Sequence, residues 1–124
     1  MKFYRCKHCG NILATVYDSG VTPKCCGEDM VAIQAASTDG ALEKHVPVIV
    51  RNGYKVLVKI GEQPHPMTPE HYIEWVAIEC AGKFQLAWLK PGDTPEAEFM
   101  VDGDEPITAY EHCNLHGLYM ATEN

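Results

Sequence analysis

Val46-Pro-Val-Ile-Val50-Arg51-Asn52-Gly53-Tyr54-Lys-Val-Leu-Val-Lys-Ile60 is the stretch that decides the fold. Tyr54, Val56, Val58 and Ile60 alternate with Lys55, Leu57 and Lys59, the two-residue period of a strand with one buried face. Val46–Val50 reads as a second strand, with Pro47 near its start. Arg51-Asn52-Gly53 between them carries the Asn-Gly signal of a tight hairpin. Downstream, His71–Cys80 alternates again, Ala81-Gly82 turns the chain into Lys83–Leu89, and Pro91-Gly92-Asp93 breaks that strand. Glu96–Val101 and the end around Tyr119 are further strand candidates. No segment sustains a helical period, and there is no internal repeat or low-complexity tract. About seven short strands with regular turns predict an antiparallel β-sandwich of the immunoglobulin type over residues 37–124.

Upstream, residues 1–36 read as a separate miniature β domain. Phe3–Arg5 and Ile12–Tyr17 look like short strands, and the turns Cys6-x-x-Cys9-Gly10 and Cys25-Cys26-Gly27 place glycines where a backbone must curl around a metal. Below ~40 residues a chain cannot bury enough apolar surface to fold alone, and metals or oligomerisation make up the deficit. Ser37-Thr38-Asp39-Gly40 is a polar, turn-forming link between the two parts. The fold class is therefore all-β.

The 124 residues are 46% hydrophobic and 22% charged, an ordinary soluble composition. No run approaches the ~18–20 apolar residues that span a bilayer. The stretch from Met1 to Cys6 has no apolar segment of signal-peptide length, so no membrane association and a cytoplasmic location are expected. The formal net charge is −7, split as +1 over residues 1–36 and −8 over the rest. Nucleic acid is a poor partner for such a surface, because affinity for phosphates rests on Lys and Arg. A small anionic substrate would need its own local cation at the site.

Six cysteines in a chain without a secretion signal, four of them clustered, read as metal ligands rather than a disulfide framework. Cys6, Cys9, Cys25 and Cys26 form a tetrahedral thiolate set that suits zinc or a mononuclear iron alike; spacing alone does not choose the metal, and without a family resemblance a structural zinc is the favoured reading. Two adjacent cysteines on one ion should strain the tetrahedron. His8, inside the Cys-x-x-Cys, reads as an exposed loop residue. A second constellation draws on Glu43-Lys44-His45-Val46-Pro47, on Pro64-His65-Pro66-Met67-Thr68-Pro69-Glu70-His71, and on Glu111-His112-Cys113-Asn114-Leu115-His116-Gly117. His45, His65, His71 and His116 with Cys113 offer four imidazoles and a thiolate, leaving one position open on a six-coordinate metal. The thiolate pulls the choice toward a soft or redox-active ion. His112 neighbours Cys113 and points the opposite way in an extended segment, so it is read as non-ligating. Cys80 ends an alternating strand and reads as a buried structural thiol.

These motifs resemble the desulfoferrodoxin family, the two-iron superoxide reductases, over essentially the whole chain. Cys-x-x-Cys-Gly-Asn with Cys-Cys-Gly-Glu is similar to the desulforedoxin-like N-terminal domain. The stretches from Ser37 to Ile49 and from Gly61 to Met67, His71–Trp75, Leu89–Ala97 and Cys113–Gly117 are similar to the neelaredoxin-like catalytic domain. The resemblance implies iron at both sites. Cys6, Cys9, Cys25 and Cys26 match the ligands of a distorted rubredoxin-like iron. His45, His65, His71 and His116 match the equatorial imidazoles of the second iron, and Cys113 its axial thiolate. Glu43 matches the carboxylate that caps the oxidised iron, and Lys44 the lysine beside the open position. His112 departs from the pattern, in which an aromatic residue precedes the cysteine.

The implied activity is one-electron reduction of superoxide to hydrogen peroxide without release of dioxygen. A rubredoxin-like donor regenerates the reduced iron, and the implied assembly is a homodimer. A non-catalytic electron-transfer or redox-sensing iron protein is the competing reading. The open position and Lys44 speak against it.

Overall fold

The computed structural model describes residues 1–39 and 45–123, and they divide into two compact units, Met1–Gln34 and Ala35–Asn124. In the first, β1 (Phe3–Arg5) lies between β2 (Ile12–Ala14) and β5 (Val31–Ile33), while β3 (Lys24–Cys25) and β4 (Glu28–Asp29) form a separate two-stranded ladder. The apolar run Ile12–Tyr17 predicts a longer β2 than is found. The partner strand runs out, since Phe3 pairs with Ala14. Beyond it the Asp18 carboxylate accepts the Gly20 N–H at 2.9 Å and turns the chain, leaving Val16 and Tyr17 exposed.

The second unit holds seven strands: β6 (Pro47–Asn52), β7 (Lys55–Ile60), β8 (Ile73–Cys80), β9 (Lys83–Trp88), β10 (Glu96–Met100), β11 (Thr108–Cys113) and β12 (Gly117–Thr122). They form two antiparallel sheets, ordered β10-β7-β6 and β12-β11-β8-β9. One core joins them: Val56, Val58, Ile60, Ala97 and Phe99 from the first sheet meet Ile73, Val76, Ile78, Cys80, Ala109 and Cys113 from the second. This is the predicted all-β sandwich. Cys80 lies in that core, with Sγ 3.5 Å from the Glu105 carbonyl oxygen.

The sequence pattern gives no signal for β11, because Tyr110, Glu111 and His112 break the alternation with polar groups, yet all three are buried. The first hairpin turn also lies one residue further on than Asn52-Gly53. Asn52 pairs with Lys55, so Gly53 (φ 65°) and Tyr54 are its central residues.

Ala81-Gly82 is a two-residue loop closed by Cys80 pairing with Lys83, and both central residues have positive φ, 52° and 73°. A type I′ turn of this kind matches strand twist but penalises a side chain at its first position unless that residue is Asn, Asp or Gly. Ala81→Asn is expected to raise unfolding free energy by about 1 kcal/mol, read as a higher urea midpoint at unchanged slope. An unchanged or lower midpoint would contradict the turn assignment.

Arg51 ties the far end of the sandwich together. Its Nη2 donates to Glu123 Oε1 and to the Glu105 carbonyl, both at 2.7 Å, and Nη1 donates to the Gly103 carbonyl at 3.1 Å. Glu123 Oε1 also accepts the Ile107 N–H at 3.0 Å. The Arg51 guanidinium, with the Ile107 N–H, holds the Glu123 carboxyl below its ordinary value. A depressed folded-state pKa gives stability that is present above the ordinary glutamate pKa and is lost as pH falls through the depressed one. Glu123→Gln should therefore cost about 1.5–3 kcal/mol at pH 7. The gap from the parent should close on acidification below about pH 4.3. Urea titrations at several pH values test this, and a gap that does not depend on pH would refute it.

Candidate functional site

Two clusters of metal-ligating side chains stand out, one in each unit. In the first, ligand atoms of Cys6, Cys9, Cys25 and Cys26 lie within 4.8 Å of one another. Cys6 and Cys9 bracket the turn after β1. Cys25 ends β3, and Cys26 opens the turn to β4. Placing two adjacent side chains on one centre requires the backbone to reverse between them. Cys26 does so in the left-handed region at φ 55°, with Gly27 following at 77°.

Metal–sulfur bonds of about 2.3 Å put the thiolates of a tetrahedron about 3.8 Å apart. Cys9 and Cys25 Sγ stand 3.6 Å apart, and Cys25 and Cys26 Sγ 3.9 Å. The donor set therefore fits one tetrahedral ion. The Cys9 N–H donates to Cys6 Sγ at 3.5 Å and holds that thiol down to about 6. Hydrogen bonding among the sulfurs, with Cys9 and Cys6 first, pushes Cys26 up to about 12. Four thiols this close cannot all ionise without a cation among them, and a bound metal supplies one. His8 lies outside the set, half exposed and 3.0 Å from the Glu28 carboxylate, which also takes Lys7 at 3.1 Å.

The second cluster sits at one end of the sandwich, where antiparallel pairing gathers three stretches of chain. His45 precedes β6, His65 lies between β7 and β8, His71 enters β8, Cys113 ends β11, and His116 is in the turn to β12. The imidazoles form a closed square. Centroids are 4.7 Å apart for His45–His65 and for His65–His71, 5.2 Å for His71–His116, and 5.0 Å for His116–His45. Each ring stands edge-on to the next, at 60° to 82°. Rings set edge to edge around one centre can each turn a nitrogen toward it.

Two ligands at right angles with bonds of about 2.1 Å lie about 3.0 Å apart. His45 Nε2 and His65 Nε2 are separated by 3.0 Å. His65 Nδ1 donates to the Pro66 carbonyl oxygen at 2.7 Å, which fixes the tautomer and leaves the Nε2 lone pair facing the centre. Cys113 is fully buried, with Sγ 3.8 Å from His116 Nδ1. His116 therefore presents Nδ1 rather than Nε2 to the cluster. Ligand atoms of His45, His65, His71 and Cys113 lie within 4.8 Å of one another. This donor set fits a transition metal with imidazole and thiolate ligands. Glu43 and Lys44 fall outside the described residues.

A bulge aims the thiol. His112 pairs with Trp75 and Cys113 with Ile73, so Glu74 is an extra residue on β8. Cys113 faces the core. His112 stacks on Trp75 instead, with centroids 5.8 Å apart and planes 10° apart, and its Nδ1 is 2.7 Å from Glu74 Oε1. Asn114 Oδ1 accepts the Tyr72 N–H at 2.9 Å and its Nδ2 donates to the Glu70 carbonyl at 3.0 Å, which fastens the turn carrying His116 to the segment carrying His71.

Three residues around the cluster carry no sequence signal of their own. Asp39 Oδ1 accepts the backbone N–H groups of both His45 and Val46. The Tyr119 ring stacks on His45. Glu111, two residues before Cys113, is fully buried, and its carboxyl oxygens have no hydrogen-bond partner among the described residues. Burial, with the Asp39 charge adding, pushes its carboxyl up to about 9.

The family model described as "Desulfoferrodoxin" matches residues 37–122, and "Desulfoferrodoxin, N-terminal domain" matches residues 1–33. Desulfoferrodoxin of Nitratidesulfovibrio vulgaris is 47% identical over 122 residues, covering 97% of this chain and 94% of its own. A desulfoferrodoxin homolog of Archaeoglobus fulgidus is 45% identical over 121 residues, covering 98% and 96%. Among solved structures, the superoxide reductase of Treponema pallidum is similar at a TM-score of 0.81 with 34% identity, covering 97% of this chain and 96% of that one.

Proposed function

We propose a function from one premise: the chain belongs to the desulfoferrodoxin family. The protein is an oxidoreductase that converts superoxide to hydrogen peroxide, and it holds two mononuclear irons. The observation that carries this reading is the square of four imidazoles over the buried Cys113 thiol. In our reading Cys6, Cys9, Cys25 and Cys26 hold one iron, within a desulforedoxin-like domain of residues 1–36. His45, His65, His71, His116 and Cys113 hold the other, within a neelaredoxin-like catalytic domain of residues 37–124.

His45, His65, His71, His116 and Cys113 would hold an iron that, when reduced, would supply the one electron that superoxide needs, with two protons, to become hydrogen peroxide. The residues prepare and control that exchange. Four neutral imidazoles leave the net charge of the centre to the ion and one thiolate. Cys113, as a thiolate donor, would push electron density onto an ion held there and so favour release of an electron from it. Its burial keeps that sulfur away from water. Hydrogen bonding at His65 Nδ1 fixes one donor lone pair in direction, so part of the site is shaped before a metal arrives.

Lys44 would set a local cation beside the centre for an incoming anion, in a catalytic part whose net charge is −8, and would organise water for proton delivery. Glu43 supplies a hard anionic cap once product has left. Lys44→Ala should slow the second-order reaction with superoxide about tenfold and flatten its salt dependence, because steering by a local charge contributes 10-fold or more to on-rates. Pulse-radiolysis rates equal to the parent's at every ionic strength would count against it.

A rubredoxin-like one-electron carrier is the proposed donor, and a homodimer the proposed assembly. Exposed Val16, Tyr17 and Val21 of the first unit offer apolar surface to a second copy. A cytoplasmic location is proposed with it; no helix among the described residues is long and apolar enough to cross a membrane. The function is tested by anaerobic purification with iron and zinc quantified, then by adding superoxide to the reduced protein. The expected result is one superoxide consumed per reduced second centre with no dioxygen released. Release of dioxygen, or no consumption by iron-loaded protein, would overturn the reading.

A further inference from the structure

We propose that Tyr119 is a positioning residue for the second metal centre: its ring fixes the plane of His45 and lowers the reduction potential of the ion that His45 holds. The inference rests on the superoxide reductase reading above and deepens it.

The Tyr119 ring lies parallel to the His45 imidazole, with 13° between planes and 4.6 Å between centroids. His65 and His116 meet His45 edge-on instead, at 60° and 72°. Tyr119 thus presents its π face to the face of a ligand ring.

Both partners are held by backbone. Tyr119 pairs across β11–β12 with Glu111, and on its other side it bridges to Ala36. The Ala36 N–H donates to the Leu118 carbonyl at 2.9 Å, and the Ala36 carbonyl accepts the Met120 N–H at 2.8 Å. Asp39 holds the His45 and Val46 N–H groups through Oδ1. One strand therefore anchors the segment that leads to His45 and also supplies the ring that lies on it. Turning the imidazole about its own axis would drive its edge into the tyrosine face.

The electronic part follows from the quadrupole of the aromatic ring, whose face is negative. An imidazole bonded to a cation is drained of electrons and carries part of the charge. Attraction between its face and the tyrosine face therefore grows with the charge on the ion. The contact favours the trivalent over the divalent state, and so lowers the potential. Simple packing would produce the same geometry without that bias.

Spectroelectrochemical titration of the iron-loaded full chain separates the two accounts. Parent protein is compared with Tyr119→Phe, Tyr119→Leu and chains carrying progressively fluorinated phenylalanine at position 119. Tyr119→Leu should weaken the preference for the trivalent state about threefold, an upward shift of roughly 28 mV at 59 mV per tenfold. Tyr119→Phe should shift by less than half of that. The fluorinated rings keep shape while losing face density, so the potential should rise step by step with fluorine count. Should Tyr119→Leu fail to retain iron, the fluorinated series decides alone. A flat potential across that series overturns the proposal. Metal content and superoxide consumption, measured on the parent, report separately on the reading of function.

Discussion

Cys113→Ser is expected to cut the rate at which reduced protein consumes superoxide by more than about 100-fold, beyond the 10–100-fold typical of changes one shell out from a metal. The thiol is fully buried and stands 3.8 Å from His116 Nδ1. Serine fits the same space with little change in volume, so the bulge at Glu74 and the square of imidazoles should survive. The donor changes: a hydroxyl at neutral pH is not ionised and pushes little electron density toward an ion, whereas a metal-bound thiol is deprotonated outright. Metal analysis establishes whether the second iron is retained, and stopped-flow or pulse radiolysis gives the rate. Full iron content with a rate within tenfold of the parent would remove Cys113 from the chemistry and leave it a packing residue.

The second large effect concerns the first unit. Removing its metal, by Cys25→Ala or by chelation, should unfold Met1–Gln34 while leaving the sandwich strands folded. The buried cluster there is Tyr4, Cys6 and Met30 with Cys25 packed against it, and Phe3 is the other buried apolar residue among those described, so two of these five side chains belong to the thiolate set. Its three-stranded sheet is built from strands of three residues. A structural zinc contributes on the order of 10–16 kcal/mol to domains of similar design, more than a core of this size can. Hydrogen exchange followed by NMR is the measurement. Amides of β1, β2 and β5 should lose protection, whereas those of β8 and β11 keep it. Persistent protection in β1 after metal removal would show that the small unit stands without its ion.

Much of this architecture is legible in the residues alone, for identifiable reasons. Strand β7 announces itself because one face is buried and alternation follows, whereas β8, buried on both faces from Trp75 to Ile78, is legible by its apolar run between turn signals. The ligand residues are legible because few other patterns bring Cys-x-x-Cys, Cys-Cys and Cys-x-x-His into one short chain. Strand β11 is not legible, since both of its faces are covered and Glu111, His112 and Tyr110 are buried polar groups. The extra residue at Glu74 is hidden for a related reason. A bulge shifts register between two strands, and neither strand shows it by itself. Tyr119 on His45 and Asp39 beneath the His45 amide join residues far apart in the chain, and only the assembled sheets bring them together.

The sites differ in how much of the polypeptide each needs. Cys6 through Cys26 lie close together near the start of the sequence, whereas the imidazole square is not complete until His116 joins His45 across both sheets. During synthesis the amino-terminal part emerges and can fold first. The four-thiolate site can thus capture its ion while most of the sandwich is still unmade. The imidazole site must wait for the last hairpin, so a truncated or stalled product would carry the harmless centre and lack the reactive one.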